Sequence, residues 1–232
     1  MRVKRFYRSW KSFLMGLALG IIVSVATQHN VTDADSGETP HLSARDALAI
    51  IAMPLSEDST GGYFLAGADL SNTFLEAVNL SNSNLRRVNL TEAKLESSQL
   101  TNVDMKEAIL SGADLRLAEI RFSNLDGAVL RSTQLSFANL SNSNLSSTDL
   151  SGADLSVAVL ENAILTGANL QSADLTSAVL QNADLTSANL DSAQISGVDF
   201  GGADLRGATL PDGTTYQLGT NLVERFGVAT NP

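Results

Sequence analysis

Residues 153–190 read ADLSVAVLENAILTGANLQSADLTSAVLQNADLTSANL, and every fifth residue from Leu155 to Leu190 is leucine. Two positions before each leucine stands an alanine, from Ala153 to Ala188. The same beat runs outward in both directions. From Leu65 to Leu210 it holds for 30 positions, 26 of them leucine, with Met105, Ile120, Ile195 and Phe200 as the others. The residue two before is small throughout, from Ala68, Thr73, Val78 and Ser83 to Ala208; Tyr63, at the entrance, alone departs.

A period of five fits neither ordinary element. On a helix, five residues advance by about 140°, so the leucines would scatter around the cylinder. On a strand, five is odd, so successive leucines would alternate faces. They share one interior only if the chain turns by a constant angle at each unit. Within a unit the small residue and the leucine are two apart, which puts both on one face of a short extended segment. The residues between units are mostly Ser, Asn, Gly and Thr, which suit turns. Internal repetition of this kind overrides local propensity.

Units such as Ala113-Asp114-Leu115, Ala153-Asp154-Leu155-Ser156, Ala168-Asn169-Leu170-Gln171 and Ala183-Asp184-Leu185-Thr186 resemble the A(D/N)LXX motif of the pentapeptide repeat family. The resemblance implies an all-β solenoid, a right-handed quadrilateral β-helix with four units per coil and about seven coils over residues 63–210. At about 4.8 Å per layer the stack would be about 35 Å long. Both ends of such a stack need lids, because a terminal coil exposes leucine and unpaired strand edges.

The flanks supply candidates. Ser43 caps a predicted short helix from Ala44 to Met53, stopped by Pro54, whose Ala47, Leu48 and Ile51, with Leu55, would cover the bottom; residues 43–62 thus form a capping helix and loop. After Leu210, Pro211-Asp212-Gly213 signals a turn, and Asn221 to Phe226 is expected to be helical with Gly227 as the stop. Tyr216, Leu218, Leu222, Val223 and Phe226 would close the top, making 211–232 a C-terminal cap or tail.

The beginning of the chain addresses a compartment. Residues 1–26 hold Arg2, Lys4, Arg5, Arg8 and Lys11 and no acid, and Phe13 to Ala26 is an uncharged apolar run. This is either a cleaved signal peptide, with Ser24 and Ala26 suited to cleavage, or an uncleaved anchor with Trp10 at the interface. The protein would touch a membrane only through residues 10–26, and only if they are retained. Residues 27–42 read as a flexible acidic linker. Both alternatives put the repeats outside the cytoplasm, in a periplasm or thylakoid lumen.

Composition narrows the chemistry. There is no cysteine, and the two histidines, His29 and His41, both precede the repeats. No thiolate zinc site or Cys nucleophile is possible, and no His serves a Ser nucleophile inside the coils. No cofactor, metal or small-molecule substrate is assigned, and an enzyme is not expected. Net charge is −10, and residues 27–232 carry 25 acids against 10 bases. Such a surface repels nucleic acid. Function is therefore expected to be structural, a scaffold for a protein partner or for self-association. The resemblance also carries an alternative, since some family members imitate a DNA duplex in size and charge and bind DNA gyrase. The acid-only stretch 132–205 suits that reading; export and the seven basic residues from Arg86 to Arg131 oppose it.

With four units per coil, residues 20 apart stack. One column reads Asn82, Asn102, Phe122, Asn142, Asn162, Asn182 and is expected to form an amide ladder broken at Phe122. A second reads Leu117, Phe137, Val157, with Val159 over Val179 on the adjacent wall. This is the candidate exposed apolar strip and partner surface. A third, Asp114, Gln134, Asp154, Asp174, is solvated and confined to one wall, a poor cation cage.

Overall fold

The computed structural model describes residues 62–228. The expectations for residues 1–26, for 27–42 and for the helix from Ala44 to Met53 lie outside the described residues.

Each five-residue unit makes one wall and one corner. The leucine and the small residue two before it point inward, and the residue between them points outward. Two residues after the leucine form a turn, closed where the leucine carbonyl accepts the next small residue's N–H, as in Ala68 N–H to Leu65 C=O at 3.0 Å. The second turn residue is left-handed at every unit, with φ +57° at Asn72 and +69° at Gly67. A turn with φ positive only at its second central residue is type II. Glycine or Asn suits that corner best, yet 21 of the 29 corners from 67 to 207 carry a residue other than glycine. An L side chain in this region costs roughly 1–2 kcal/mol. The stack offsets it: each of these non-glycine corners donates its N–H to the coil above, as Asn72 does to Thr91 C=O at 2.8 Å.

Four corners close a coil of 20 residues. Every described wall from Phe64 to Asn189 pairs in parallel with the wall 20 residues on, from Phe64↔Asn84 to Asn189↔Thr209. Leu65 N–H reaches Asn84 C=O at 2.8 Å, and Asn84 N–H returns to Tyr63 C=O at 2.8 Å. The backbone of an inner coil is thus satisfied by the coils above and below it, as a buried chain requires.

The axis is filled. All the inward leucines from Leu65 to Leu210 are at most 5% exposed, as are Met105, Ile120, Ile195 and Phe200. Burying one such side chain contributes about 1.5–3 kcal/mol. The inward small position is mixed up to Thr148 and alanine at every unit from Ala153 to Ala193. Below, buried hydroxyls reach carbonyls one coil down: Ser123 Oγ to Leu100 C=O at 2.7 Å, Thr133 Oγ1 to Leu110 C=O at 2.9 Å and Ser143 Oγ to Ile120 C=O at 2.6 Å. Among the described residues one buried hydroxyl, Ser98 Oγ, has no partner.

The top closes as a hook followed by a helix. Thr209 pairs antiparallel with Thr215, and Tyr216 N–H donates to Ala208 C=O at 2.7 Å. The fold-back covers part of the last edge, which would otherwise invite another strand. Helix α1, Leu222–Phe226, is capped by Asn221, whose Oδ1 accepts Glu224 N–H at 3.1 Å, and it stops at Gly227 with φ +67°. Leu222 is 4% and Val228 2% exposed, with Tyr216 and Phe226 half-buried. Leu218 corrects the expected lid: it is 94% exposed. It occupies the tip of a turn closed by Thr220 N–H to Gln217 C=O, which carries it away from the coil. Among the described residues no helix is long and apolar enough to cross a membrane.

Candidate partner surface

Recognition falls to the outward positions. The wall residue before each leucine is the most ordered of them. All seventeen Asp and Asn residues at this position accept the N–H of the first turn residue on Oδ1, from Asp69 with Ser71 at 3.1 Å to Asp204 with Arg206 at 3.1 Å. A side chain one methylene longer changes that geometry, which is the physical reason for Asp or Asn in the motif. The free amide of a wall Asn then reaches the coil below: Asn144 to Asn124 at 3.3 Å, Asn169 to Asp149 at 3.2 Å and Asn189 to Asn169 at 3.2 Å.

This relocates the expected amide ladder. In the corner column only Asn102 bonds its neighbour, Asn82, at 2.9 Å. Among the described residues, Asn142, Asn162 and Asn182 make no rung with one another. They are exposed corner side chains, free to splay, whereas wall side chains are pinned by the turn. Phe122 interrupts the corner column, 54% exposed, with the Arg121 guanidinium 5.2 Å from its ring centre.

Charges up to Arg131 are largely paired between coils. Arg86 meets Asp104 at 3.2 Å, Arg87 meets Glu107 at 2.7 Å, Lys106 meets Asp126 at 2.5 Å and Arg131 meets Asp149 at 2.5 Å. Arg116 bridges Asp114 at 2.7 Å and Glu96 at 3.1 Å. The Arg116 hydrogen bond holds the Asp114 carboxyl below its ordinary range although burial opposes it, and Asp114 in turn raises Arg116. The Arg87 hydrogen bond lowers Glu107 likewise. At Asp149 burial pushes upward, and the hydrogen bonds from Ser151 and Arg131 together outweigh it. Above, neutral donors prevail: Thr166 to Asp184 at 3.0 Å, Gln171 to Asp191 at 3.0 Å and Gln181 to Asp199 at 2.6 Å, until Arg206 meets Asp204 at 2.5 Å.

The apolar strip lies on one corner and the wall beyond it. Leu117, Phe137 and Val157 are 52%, 58% and 42% exposed, in consecutive coils of one corner column. Val159 pairs with Val179 on the next wall, both half-buried. Asp154 pairs directly with Asp174 on the wall at the other side of that corner. Sequence reasoning missed Phe64 and Phe74, 81% and 77% exposed on walls of the first coil, and the more modest Ile109 and Ile164. Their signal was an apolar residue at the wall position that Asp or Asn otherwise fills. Among the described residues no cluster of His, Asp or Glu is arranged to hold a metal ion.

A family model for pentapeptide repeats matches in overlapping copies over residues 65–207. Solved structures also align. HetL, a pentapeptide repeat protein involved in heterocyst differentiation regulation from the cyanobacterium Nostoc sp. strain PCC 7120, is 29% identical over 76% of this chain and 100% of its own, with a TM-score of 0.34. A pentapeptide repeat protein from the cyanobacterium Cyanothece 51142 is 36% identical over 46% of this chain and 66% of its own, with a TM-score of 0.35. A pentapeptide repeat protein of the Arabidopsis thaliana thylakoid lumen is 26% identical over 56% and 73%, with a TM-score of 0.30. No curated protein matches. The chain belongs to the pentapeptide repeat family, whose repeats wind as a right-handed quadrilateral β-helix.

Proposed function

We propose that the protein is a non-enzymatic scaffold exported from the cytoplasm, which engages a protein partner or a second copy of itself through the outer columns of its coils. The observation that carries this reading is the filled axis. Inward side chains occupy the whole interior of the coils, so recognition is left to corners and walls. The strip Leu117, Phe137, Val157, Val159 and Val179 is the surface assigned to that role. Export rests on the basic residues from Arg2 to Lys11 followed by the apolar run from Phe13 to Ala26. Periplasm or thylakoid lumen is the proposed compartment, with residues 10–26 as the membrane contact if they are retained.

Fractionation of cells expressing the chain with a tag at each end tests export. Repeats protected from a protease added to the cytosolic side support it, and an intact soluble protein in the cytosol overturns it. Co-purification and sizing of Phe137→Asp test the surface: unchanged association and oligomeric state reject it. One observation favours a second reading, an acidic rod that imitates DNA and binds gyrase or another nucleic-acid-binding protein. Residues 132–205 carry eight acids and no Lys or Arg, the charge such a mimic needs, whereas the ion pairs of the lower coils neutralise acids and bases alike. No inhibition or protection of gyrase by the intact chain in a supercoiling assay rejects that reading.

A further inference from the structure

We propose that the corner column Leu117, Phe137, Val157 receives an amphipathic helix of a partner protein, apolar toward the column and basic along the edge facing Asp154 and Asp174. The proposal rests on the partner-surface reading above and supplies the partner's chemistry.

The column works against the coil that carries it. Leu117, Phe137 and Val157 stand at the left-handed corner, with φ +59°, +60° and +58°. That conformation disfavours every L side chain and is most adverse for a β-branched one. Asn, Ser or Gly makes the same turn at most other corners. The three side chains do not recover the difference by burial, since about half of each remains in water. Large apolar groups on three consecutive coils, at positions that call for small polar ones, are explained by a surface that covers them. Val159 and Val179 continue the patch upward on the next wall.

Spacing selects the element. Successive layers are about 4.8 Å apart, so Leu117 to Val157 spans about 9.6 Å. A helix rises about 5.4 Å per turn, and residues i and i+7 are about 10.5 Å apart on one face. The two repeats stay in phase over this length. An extended strand repeats its face at about 6.8 Å and falls out of phase by the second layer.

Charge selects the partner over a second copy. Asp154 and Asp174 stack one over the other, and like charges so paired repel. Each commits Oδ1 to a turn N–H, of Ser156 and Thr176 at 2.9 Å, while Oδ2 has no partner among the described residues. There is no Lys or Arg from residue 132 to 205. A second copy laid parallel adds carboxylate to carboxylate. Laid antiparallel it brings up Arg116, whose guanidinium is already held by Asp114 and Glu96. A basic side chain from another protein answers both carboxylates.

The test titrates the full-length chain into a labelled synthetic helix of about 18 residues, with Leu at helical spacing and Lys alongside, and into its twin with Glu for Lys. The Lys peptide is expected to bind and the Glu peptide to fail. Phe137→Asn is expected to weaken binding about tenfold, and so is the pair Asp154→Asn with Asp174→Asn. Both replacements preserve the local turn, Asn being favoured at the corner and equally able to accept the wall hydrogen bond. A melting temperature unchanged or raised in Phe137→Asn separates lost contact from lost fold. Equal binding of the two peptides, no binding of the Lys peptide, or unaltered binding to Phe137→Asn overturns the proposal. If the peptide assay fails while Phe137→Asn still disperses an assembled form or releases a co-purifying protein, the surface stands and the basic helix falls. If neither responds, both readings fall.

Discussion

The coils up to Arg131 and the coils above it share one interior, leucine on the axis at every fifth residue, and differ outside. Below, arginine and lysine reach to the next coil's carboxylates, and buried hydroxyls tie into the coil beneath from Ser123 as far as Thr148. Above, the inward small position is alanine from Ala153 to Ala193, and the acids meet mostly neutral donors, apart from Asp149 with Arg131 and Asp204 with Arg206. Two different exteriors on one unbroken register show that the outer columns do not determine the fold. Exposed ion pairs contribute little, typically 0–1 kcal/mol each. What the contrast changes is which surface remains open to a partner.

The strongest way to break the comparison is to strike the interior in both halves. Leu95→Ala and Leu175→Ala should each cost about 2–5 kcal/mol in urea unfolding, and by similar amounts, since both side chains are fully buried. A markedly smaller loss in one half would mean that the exterior bears part of the fold after all.

Next in size is the pair that comes nearest to burial. Arg116→Gln leaves the 5%-exposed Asp114 without its cation and should lower the urea midpoint at neutral pH, by less than either leucine truncation does. Asp114 has a folded pKa below its unfolded one. Its stabilisation is therefore complete above the ordinary carboxylate range and disappears as pH falls through the folded value. Denaturation measured from about pH 7 down to about pH 2 should show the deficit of Arg116→Gln shrinking below about pH 4. A deficit that persists at the acid end would assign the loss to contacts of the Arg116 stem instead.

Two smaller effects sharpen the contrast. Val157→Asn relieves a β-branched residue at φ +58° and should raise stability by about 1 kcal/mol, read as a higher melting temperature. No gain would remove the premise that the apolar corner is adverse to its own coil. Thr133→Ala breaks a buried hydrogen bond and should cost about 0.5–1 kcal/mol, whereas Ser98→Ala should cost nothing, because Ser98 Oγ is unbonded. Equal losses at both positions would show that size, not the hydroxyl, matters there.

The register made the interior legible residue by residue, including the inward place of Met105, Ile120, Ile195 and Phe200. Sorting by twenty also placed Leu117, Phe137 and Val157 in one column. It failed where a side chain has two choices. The corner amides of Asn142, Asn162 and Asn182 share a column but are not held in line, while the wall amides are oriented by the turn they accept from. The ion pairs joining residues 18 or 20 apart were visible in the spacing of Arg86 with Asp104 and Arg87 with Glu107, once wall and corner positions are distinguished. Leu218 followed no beat, so only the turn around it settles its exposure.

The parallel pairing of each wall with the one twenty residues on makes the molecule behave like a combination lock. A deletion of five residues anywhere in the register leaves every leucine on the axis. It also rotates all coils above the cut by one quarter turn relative to those below. Removing one unit between Leu117 and Phe137 would part those side chains onto different corners while changing almost nothing inside. Surfaces in such a chain can be rewritten wholesale, by gain or loss of a single unit, without asking the core to adapt.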